Sequence, residues 1–477
     1  MNVRTLHTGF WICSAFFLCC IFLAFYFQIL PLLLVPVGVV AFYLILQKPV
    51  LLFYGLLVSI PWSAPYYFSS ALGTDLPDEP LMALTAAAVV LYLVYNRKQW
   101  QNMGWLHPLV VALLLQFLWM IITVIYSSHL LFSIKYSLAK SWYVLAFAGA
   151  PALFFSSKKD IKTAGLLLLS SMSVLVSFIM VRHGRLGFTF DAINESVSPY
   201  FHNHVNYSAL LVFMVPLLVV FYKSASQRWV KGLLLFLFLI TLAAIYLSYA
   251  RGAWLAFVIG ISVFFLLAKG WLMPAFFTTL ILCVIGVFYL QHNDRYLSFA
   301  PKFKTTIFHT DFREHLIATY EGKDVSTAER FYRWAAGANM VKEKPMIGFG
   351  PNTFAENYWS YTVPAFKTWV SNNKDRSTVH NYFLLLLIEQ GFPGLLFFLF
   401  LIGYAFYRAQ IIYTTAQNIF YKKAAACIAV ILAMVCTVNF LSDLIETDKI
   451  GSVFYTCIGV LIFIDNQQRR SELTADV

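Results

Sequence analysis

Charged side chains are what this sequence has least of: Asp, Glu, Lys and Arg make up 12% of 477 residues, where soluble domains carry about a quarter. With 60% hydrophobic residues beside them, the shortage excludes an ordinary water-soluble enzyme. Cysteine is missing from every polar segment. All seven (Cys13, Cys19, Cys20, Cys283, Cys427, Cys436 and Cys457) lie inside apolar runs, which excludes a disulfide framework or a thiolate zinc site. No small-residue cleavage site separates the first apolar run, 10–30, from the next at Pro31, so that run is expected to stay as a helix rather than act as a signal peptide. No repeat relates the two halves, which argues against a transporter built from matched broken helices.

Long apolar runs are abundant instead. They recur from 10 to 464, each about 17 to 25 residues and long enough to cross a ~30 Å hydrocarbon core as a helix. The expected spans are 10–29, 31–47, 50–66, 79–95, 106–126, 140–156, 161–181, 204–222, 232–249, 252–268, 271–290, 380–407, 424–441 and 450–464. Pro61 and Pro65 make the third the weakest, and a total of twelve also fits. The fold class is therefore all-α, a polytopic transmembrane helical bundle of about 12–14 spans. Its segments are 1–290 with eleven helices, a large outer loop 291–379, three helices in 380–465 and a tail 466–477.

A net charge of +12 suggests a nucleic-acid partner in a soluble protein, but here the positive-inside rule accounts for it. Sixteen basic residues fall on alternate turns: Arg4, Lys48, Arg97, Lys98, Lys158, Lys159, Lys162, Lys223, Arg228, Lys231, Lys269, Arg408, Lys422, Lys423, Arg469 and Arg470. One orientation places all of them, and both termini, on the cytoplasmic side. The loop 291–379 then lies outside with twelve of the 34 basic residues. It is too long for a simple connection. Within it Ser326-Thr327-Ala328-Glu329 has capping-box spacing and predicts a helix to about Glu343, stopped by Pro345.

Several residues on that outer side carry chemical potential. Arg251, in Ser248-Tyr249-Ala250-Arg251-Gly252-Ala253-Trp254, sits at the mouth of a helical hairpin, where its guanidinium either snorkels to lipid heads or clamps a phosphate with its fixed fork of donors. Arg330 and Arg333 share a face of the predicted helix and either grip a dianion or rest on anionic lipid. Gly348 and Gly350 form a turn giving a ligand access to backbone. His380 and Asn381 open a segment that as one helix to Tyr407 would run ~42 Å, so it must tilt, protrude or break. Gly391-Phe392-Pro393-Gly394 marks the break, and Glu389 just before it is an ionisable group among apolar neighbours. Arg182, Arg185, His202 and His204 make a second basic rim. Asp75, Asp78 and Glu79 read as helix-start charges or, alternatively, as ligands for a divalent ion. Asp443 and Glu446, three apart, have no histidine on hand for a metal site.

From Ser248 to about Gly394 the sequence resembles the bacterial O-antigen ligase and O-antigen polymerase superfamily. The matching pieces are Ser248-x-x-Arg251-Gly252-Ala253-Trp254, Arg330-x-x-x-Trp334, Lys344-Pro345-Met346-Ile347-Gly348-Phe349-Gly350, His380-Asn381 and Glu389-x-Gly391-x-x-Gly394. The resemblance implies a metal-independent membrane glycosyltransferase with no cofactor, of the lipid-carrier fold type. It would take a glycan from undecaprenyl pyrophosphate on the periplasmic face of the inner membrane. It implies that Arg251 and Arg330 hold the pyrophosphate and that His380 activates the acceptor hydroxyl. Arg333, Asn381, Gly348, Gly350, Glu389, Arg182 and Arg185 are the further candidates for substrate contact. The leading expectation is ligation of a finished glycan to an acceptor such as lipid A-core. Repeat-unit polymerisation, protein O-glycosylation and, from another class, a polysaccharide flippase remain as alternatives.

Overall fold

Apolar runs bounded by capping residues become helices here. The computed structural model describes residues 19, 20, 22, 47–69, 72–96, 107–299, 325–367, 371 and 378–475, so the expected spans 10–29 and 31–47 fall almost wholly outside the described residues. The chain divides at Gly55 into two units. Of the first, the structure describes short helical pieces and the start of the helix Val50–Ser59. The second, from Leu56 onward, carries everything below.

After a 3-10 turn at Ile60–Trp62, in which Pro61 ends the preceding helix, β1 (Ala64–Ser69) pairs antiparallel with β2 (Leu72–Leu76). The helices that follow are α1 (Asp78–Tyr95), α2 (Pro108–Ile125), α3 (Leu130–Val144), α4 (Lys158–Arg185), α5 (His204–Ser224), α6 (Arg228–Leu247), α7 (Arg251–Ala268) and α8 (Leu272–Gln291). Then come α9 (Val325–Glu343), α10 (Tyr382–Thr415), α11 (Ile419–Leu441) and α12 (Asp448–Ala475). Among the described residues ten helices are long and apolar enough to cross a membrane; this is an all-α, multi-pass membrane protein.

Local chemistry sets the ends. Ser157 and Asp160 form a reciprocal capping box that starts α4, and the side chains of Asn203, Asn381 and Asn418 accept the first free N–H groups of α5, α10 and α11. Two helices outrun their apolar windows. α3 begins at Leu130, ten residues before the span expected from hydropathy, because its polar turn is buried by pairing: Lys140 Nζ lies 3.0 Å from Glu446 and Tyr136 donates to the same carboxylate at 2.7 Å. It then runs through a π turn, Leu145–Gly149, into Ala150–Phe154. α12 continues past Ile464 through Gln467, Gln468 and Arg469, residues of good helix propensity.

α11 is the central post. It packs against α10 on one side and α7 on the other, with α5 and α12 completing its shell. Small residues, Ala425, Ala429 and Ala433, are buried on it, and Gly260 of α7 lies against Met434 and Val430. Close approach matters because lipid offers apolar helices no solvent-exclusion drive to associate. α2 and α3 lie beyond α10, α2 packing directly on it, while α8 is almost wholly exposed.

The charge pattern follows the helix directions. Lys423 of α11 donates to the Lys223 carbonyl at the end of α5 at 3.1 Å. At the same end of the bundle Asp465, fully buried, meets Arg408, Arg469 and His107. Burial, then Arg469 and Arg408, holds the His107 imidazole down to about 4, so it is neutral: its Nε2–H donates to Asp465 at 2.8 Å and its Nδ1 accepts from Leu109 N. The ends carrying Arg251, His380 and Asp443 gather at the opposite end.

α10 is broken where the sequence places its break. Gly391 adopts φ 67° and ψ −172°, a region open essentially to glycine alone, and a Cβ there would strike the Met346 carbonyl. Gly391→Ala should therefore cost on the order of 1–3 kcal/mol plus the displaced loop, read as a lower thermal midpoint of the purified protein. An unchanged midpoint would mean that the break is not held as described.

Candidate active site

Four sequence segments converge on the last turn of α11. The first is the hairpin before α7: Ser248 Oγ and Trp254 Nε1 both donate to the Ile245 carbonyl, at 2.7 and 3.0 Å, while the Tyr249 hydroxyl donates to Phe188 O at 2.6 Å. This fixes the turn that presents Arg251, and Gly252 lies against Leu441 of α11. The second is α9, whose bounds match the predicted helix. Its Trp334 packs on Phe440 of α11 and donates to Val379 O at 3.0 Å. The third is the approach to α10, held by Tyr382 N donating to Ser442 O at 3.0 Å. The fourth is the link 442–447 that follows α11 and carries Asp443.

These ties bring Arg330, Arg333, His380 and Asp443 into one cluster. His380 Nδ1 lies 3.9 Å from Asp443 Oδ1. Arg333 is itself braced, by Thr378 O at 3.5 Å and by Glu329 at 3.4 Å, and Glu329 accepts from Ser371 Oγ at 2.6 Å. His380 has φ 54°, a left-handed backbone that a non-glycine residue adopts only where its surroundings impose it. Asn381 caps α10 through its Oδ1, which accepts from Leu384 N at 3.0 Å.

The cluster's charge state follows from its neighbours. Burial, then Arg333 and Arg330, pushes the His380 pKa down to about 3. Burial also lifts Asp443 to about 6, against the opposing hydrogen bond from Thr378 and the charge of Arg333. At neutral pH the imidazole is a free base and the carboxylate an anion. A ring that gains a proton there gains an anionic neighbour at once. The arrangement can accept a proton from a bound hydroxyl beside guanidinium groups suited to an anion.

A second cluster lies deeper, at the break in α10. The Glu389 carboxylate accepts backbone N–H from Asn352 at 2.8 Å, Thr353 at 2.9 Å and Phe354 at 3.1 Å. Phe349 N and Gly350 N donate in turn to the carbonyls of Ile388 and Glu389, at 3.0 and 2.9 Å. Gly348 passes so close that a Cβ would stand 2.5 to 2.7 Å from the Glu389–Gln390 peptide. The geometry thus spends Glu389, Gly348 and Gly350 on locking a loop into a helix break.

Elsewhere, Arg182 donates to the carbonyls of Ser198 and Glu195, fastening the loop after α4, and Arg185 is exposed. His204 pairs with Asn194 at 2.9 Å. Asp78 and Glu79 open α1, accepting from Ser63 and Thr74, beside the carbonyl cradle in which Lys449 donates to Ile60, Pro61 and Ser63. Asp443 and Glu446 face different partners: the first turns to His380, the second to Lys140 and Tyr136. Sequence reasoning weighed Asp443 only as half of a metal pair, and its place beside the histidine depends on a contact 63 residues distant in the chain.

Residues 236–399 match the O-antigen ligase family model. The matched stretch, about a third of the chain, includes Arg251, Arg330, Arg333, His380 and Glu389, and agrees with the resemblance read from the motifs. A comparison with curated proteins gives no match. The match supports an enzyme of the ligase and polymerase type.

The role of Glu389 is separable from substrate binding. Glu389→Ala leaves the buried N–H groups of Thr353 and Phe354 without an acceptor, at roughly 1–3 kcal/mol each, and frees the part-buried Asn352 N–H, so the thermal midpoint should drop sharply, and Glu389→Gln should recover part of it. A Glu389→Ala protein with wild-type stability and selectively lost donor binding would reverse that assignment.

Proposed function

Starting from an O-antigen ligase domain that spans both the arginines and the histidine, we propose that the protein transfers a glycan from undecaprenyl pyrophosphate to a hydroxyl of an acceptor such as lipid A-core. The basic residues on alternate turns support a site on the periplasmic face of the inner membrane. The observation that carries this reading is His380 held between Asp443 and the arginines of α9 at one end of the bundle.

The step follows from the placement. The imidazole takes the proton of the acceptor hydroxyl, and its oxygen forms the new bond to the anomeric carbon. The bond from that carbon to the phosphate oxygen breaks, and the electron pair leaves on the pyrophosphate. Arg251 and Arg330 stabilise that charge; Arg333, braced by Glu329, adds to the field. Fixed guanidinium groups supply this stabilisation in a desolvated setting without a metal. The lipid carrier accounts for a site at the bilayer edge, with the glycan left in water.

Two outcomes are expected. Arg251→Lys and Arg330→Lys keep charge but lose the fork, so each folded variant should lose most transfer of a lipid-linked donor, and wild-type transfer should survive EDTA. Wild-type rates in both lysine variants would return the arginines to lipid anchoring, and loss of turnover in EDTA restored by Mg²⁺ would bring Asp75, Asp78 and Glu79 back as ligands.

The pH profile separates the histidine from its neighbour. His380 stays neutral down to about pH 3, so it does not limit the rate near pH 6.5. Asp443, raised to about 6, is an anion above that value and is neutralised below it. Transfer should be flat from about pH 7 upward and fall as pH drops through about 6. Asp443→Asn should give a lower, flat profile, and His380→Ala should cost about 10²- to 10⁴-fold in turnover with donor binding retained. A limb at pH 6 that persists in Asp443→Asn would assign it to another group.

A further inference from the structure

Three side chains of α3, Tyr136, Lys140 and Tyr143, are spaced four and then three apart and so share one face of the helix. That face meets the short link between α11 and α12, residues 442–447, which carries Asp443. Tyr136 donates to Glu446 Oε2 at 2.7 Å, Lys140 Nζ lies 3.0 Å from Glu446 Oε1, and the Tyr143 hydroxyl donates between the Thr447 and Asp448 carbonyls, at 3.1 and 3.0 Å. Gly451 completes the fit, since a Cβ there would strike Ile445 O and the Tyr143 hydroxyl.

Within the link, Asp443 and Glu446 are the two ends of one 3-10 turn. Glu446 N donates to Asp443 O at 3.0 Å and Thr447 N to Leu444 O at 2.9 Å, while Ile445 N donates to Asn439 Oδ1 at 2.8 Å. A turn closed in this way moves as a unit. Its upstream end is tied to α10 by Tyr382 N donating to Ser442 O, and its downstream end to α3 through Glu446. The Asp443 carboxylate, which faces His380, Arg333, Thr378 and Glu446, is thus aimed from both ends. Displacing a reacting constellation by about 1 Å is enough to cost it roughly a hundredfold in rate.

Lys140 is what fixes Glu446. Its ammonium stands 5.8, 5.8 and 5.4 Å from the ring centroids of Tyr136, Tyr143 and Tyr455, and the side chains of Lys140 and Glu446 are only 11% and 19% exposed. Taking both charges out of water cancels most of their attraction, so such a pair contributes little net stability. Breaking it strands the remaining charge, which then moves toward water or a new partner. The consequence of the pair is therefore geometric. We propose that Lys140 is a positioning residue for the transfer reaction, acting through Glu446 to set the turn that holds the Asp443 carboxylate beside the His380 imidazole. This rests on the reaction above and extends its machinery to α3, which lies outside the matched stretch 236–399.

The test uses the full-length protein in nanodiscs. Lys140→Met keeps the length of the side chain and removes its charge. It should lower kcat for glycan transfer by about ten- to a hundredfold with the donor KM as in wild type, and it should erase the limb at about pH 6 that Asp443 supplies. Lys140→Arg keeps the charge, has the adjoining cavity of about 210 Å³ to grow into, and should restore both rate and limb. In the Asp443→Asn background Lys140→Met should change kcat by less than about twofold, because the group it positions is already gone. Carbethoxylation of His380 by diethyl pyrocarbonate, followed on its peptide by mass spectrometry, reads the same contact without turnover. The Asp443 anion makes the imidazole the better nucleophile, so labelling should show a limb at about pH 6 in wild type that Lys140→Met removes. A raised donor KM with kcat kept would make Lys140 a substrate contact, and an equal loss in both backgrounds would make it a structural residue; either result overturns the proposal. Should Lys140→Met not fold, Tyr136→Phe removes one hydrogen bond to Glu446, leaves the charges paired, and should show the same dependence on Asp443 with a loss of about three- to tenfold. Absence of transfer in wild type, with the labelling limb present and lost in Lys140→Met, would sink the reaction and leave the positioning of Asp443 standing.

Discussion

Backbone polar groups inside a bilayer must find partners within the protein, and the break in α10 is where this constraint is met at greatest expense. Interrupting a helix at Gly391 frees carbonyls that no water can reach. Every neighbouring segment contributes to closing them: Phe349 and Gly350 donate to Ile388 and Glu389, Trp119 Nε1 to Gln390 at 2.8 Å, and Phe392 N to the Pro345 carbonyl at 2.8 Å. The loop that supplies these donors is held by the Glu389 carboxylate. The direction of the first half of α10, and with it the position of His380, depends on this mutual lock.

That lock explains why residues scattered across the motifs belong together although only some face the candidate reaction. One set, from Ser248 to Trp254 and from Arg330 to Trp334, orients guanidinium groups through indole and hydroxyl hydrogen bonds. The other, from Lys344 to Gly350 and from Glu389 to Gly394, shapes the backbone on which the histidine stands. A motif match alone does not tell these apart. Donor and acceptor geometry does.

Much of the fold was legible in the sequence because hydropathy and basic residues report directly on the bilayer. The helix Val325–Glu343 and the break at Gly391 lie where local patterns put them. Interactions between distant segments were not legible. Lys135 and Lys140 lower local hydropathy and so hid the first ten residues of α3, although a lysine in an apolar run already signals a buried partner. Glu389 looked like a ligand-binding carboxylate because its three N–H donors come from a loop 35 to 37 residues earlier. Asp443 read only as half of an acidic pair with Glu446, because the fold alone brings it to His380.

The left-handed backbone at His380 has a bearing on how replacements at that position behave. A φ of 54° is tolerated by asparagine and glycine and penalised in most other residues. Removing the ring with alanine therefore adds backbone strain to the loss of a base, and the two are confounded in a single rate. Glycine deletes the same ring while relaxing the chain, and it opens a space of imidazole size beside Asp443. The conformation makes this position suited to complementation by a small diffusible base, through which proton transfer can be supplied from solution while the protein's architecture stays as it is.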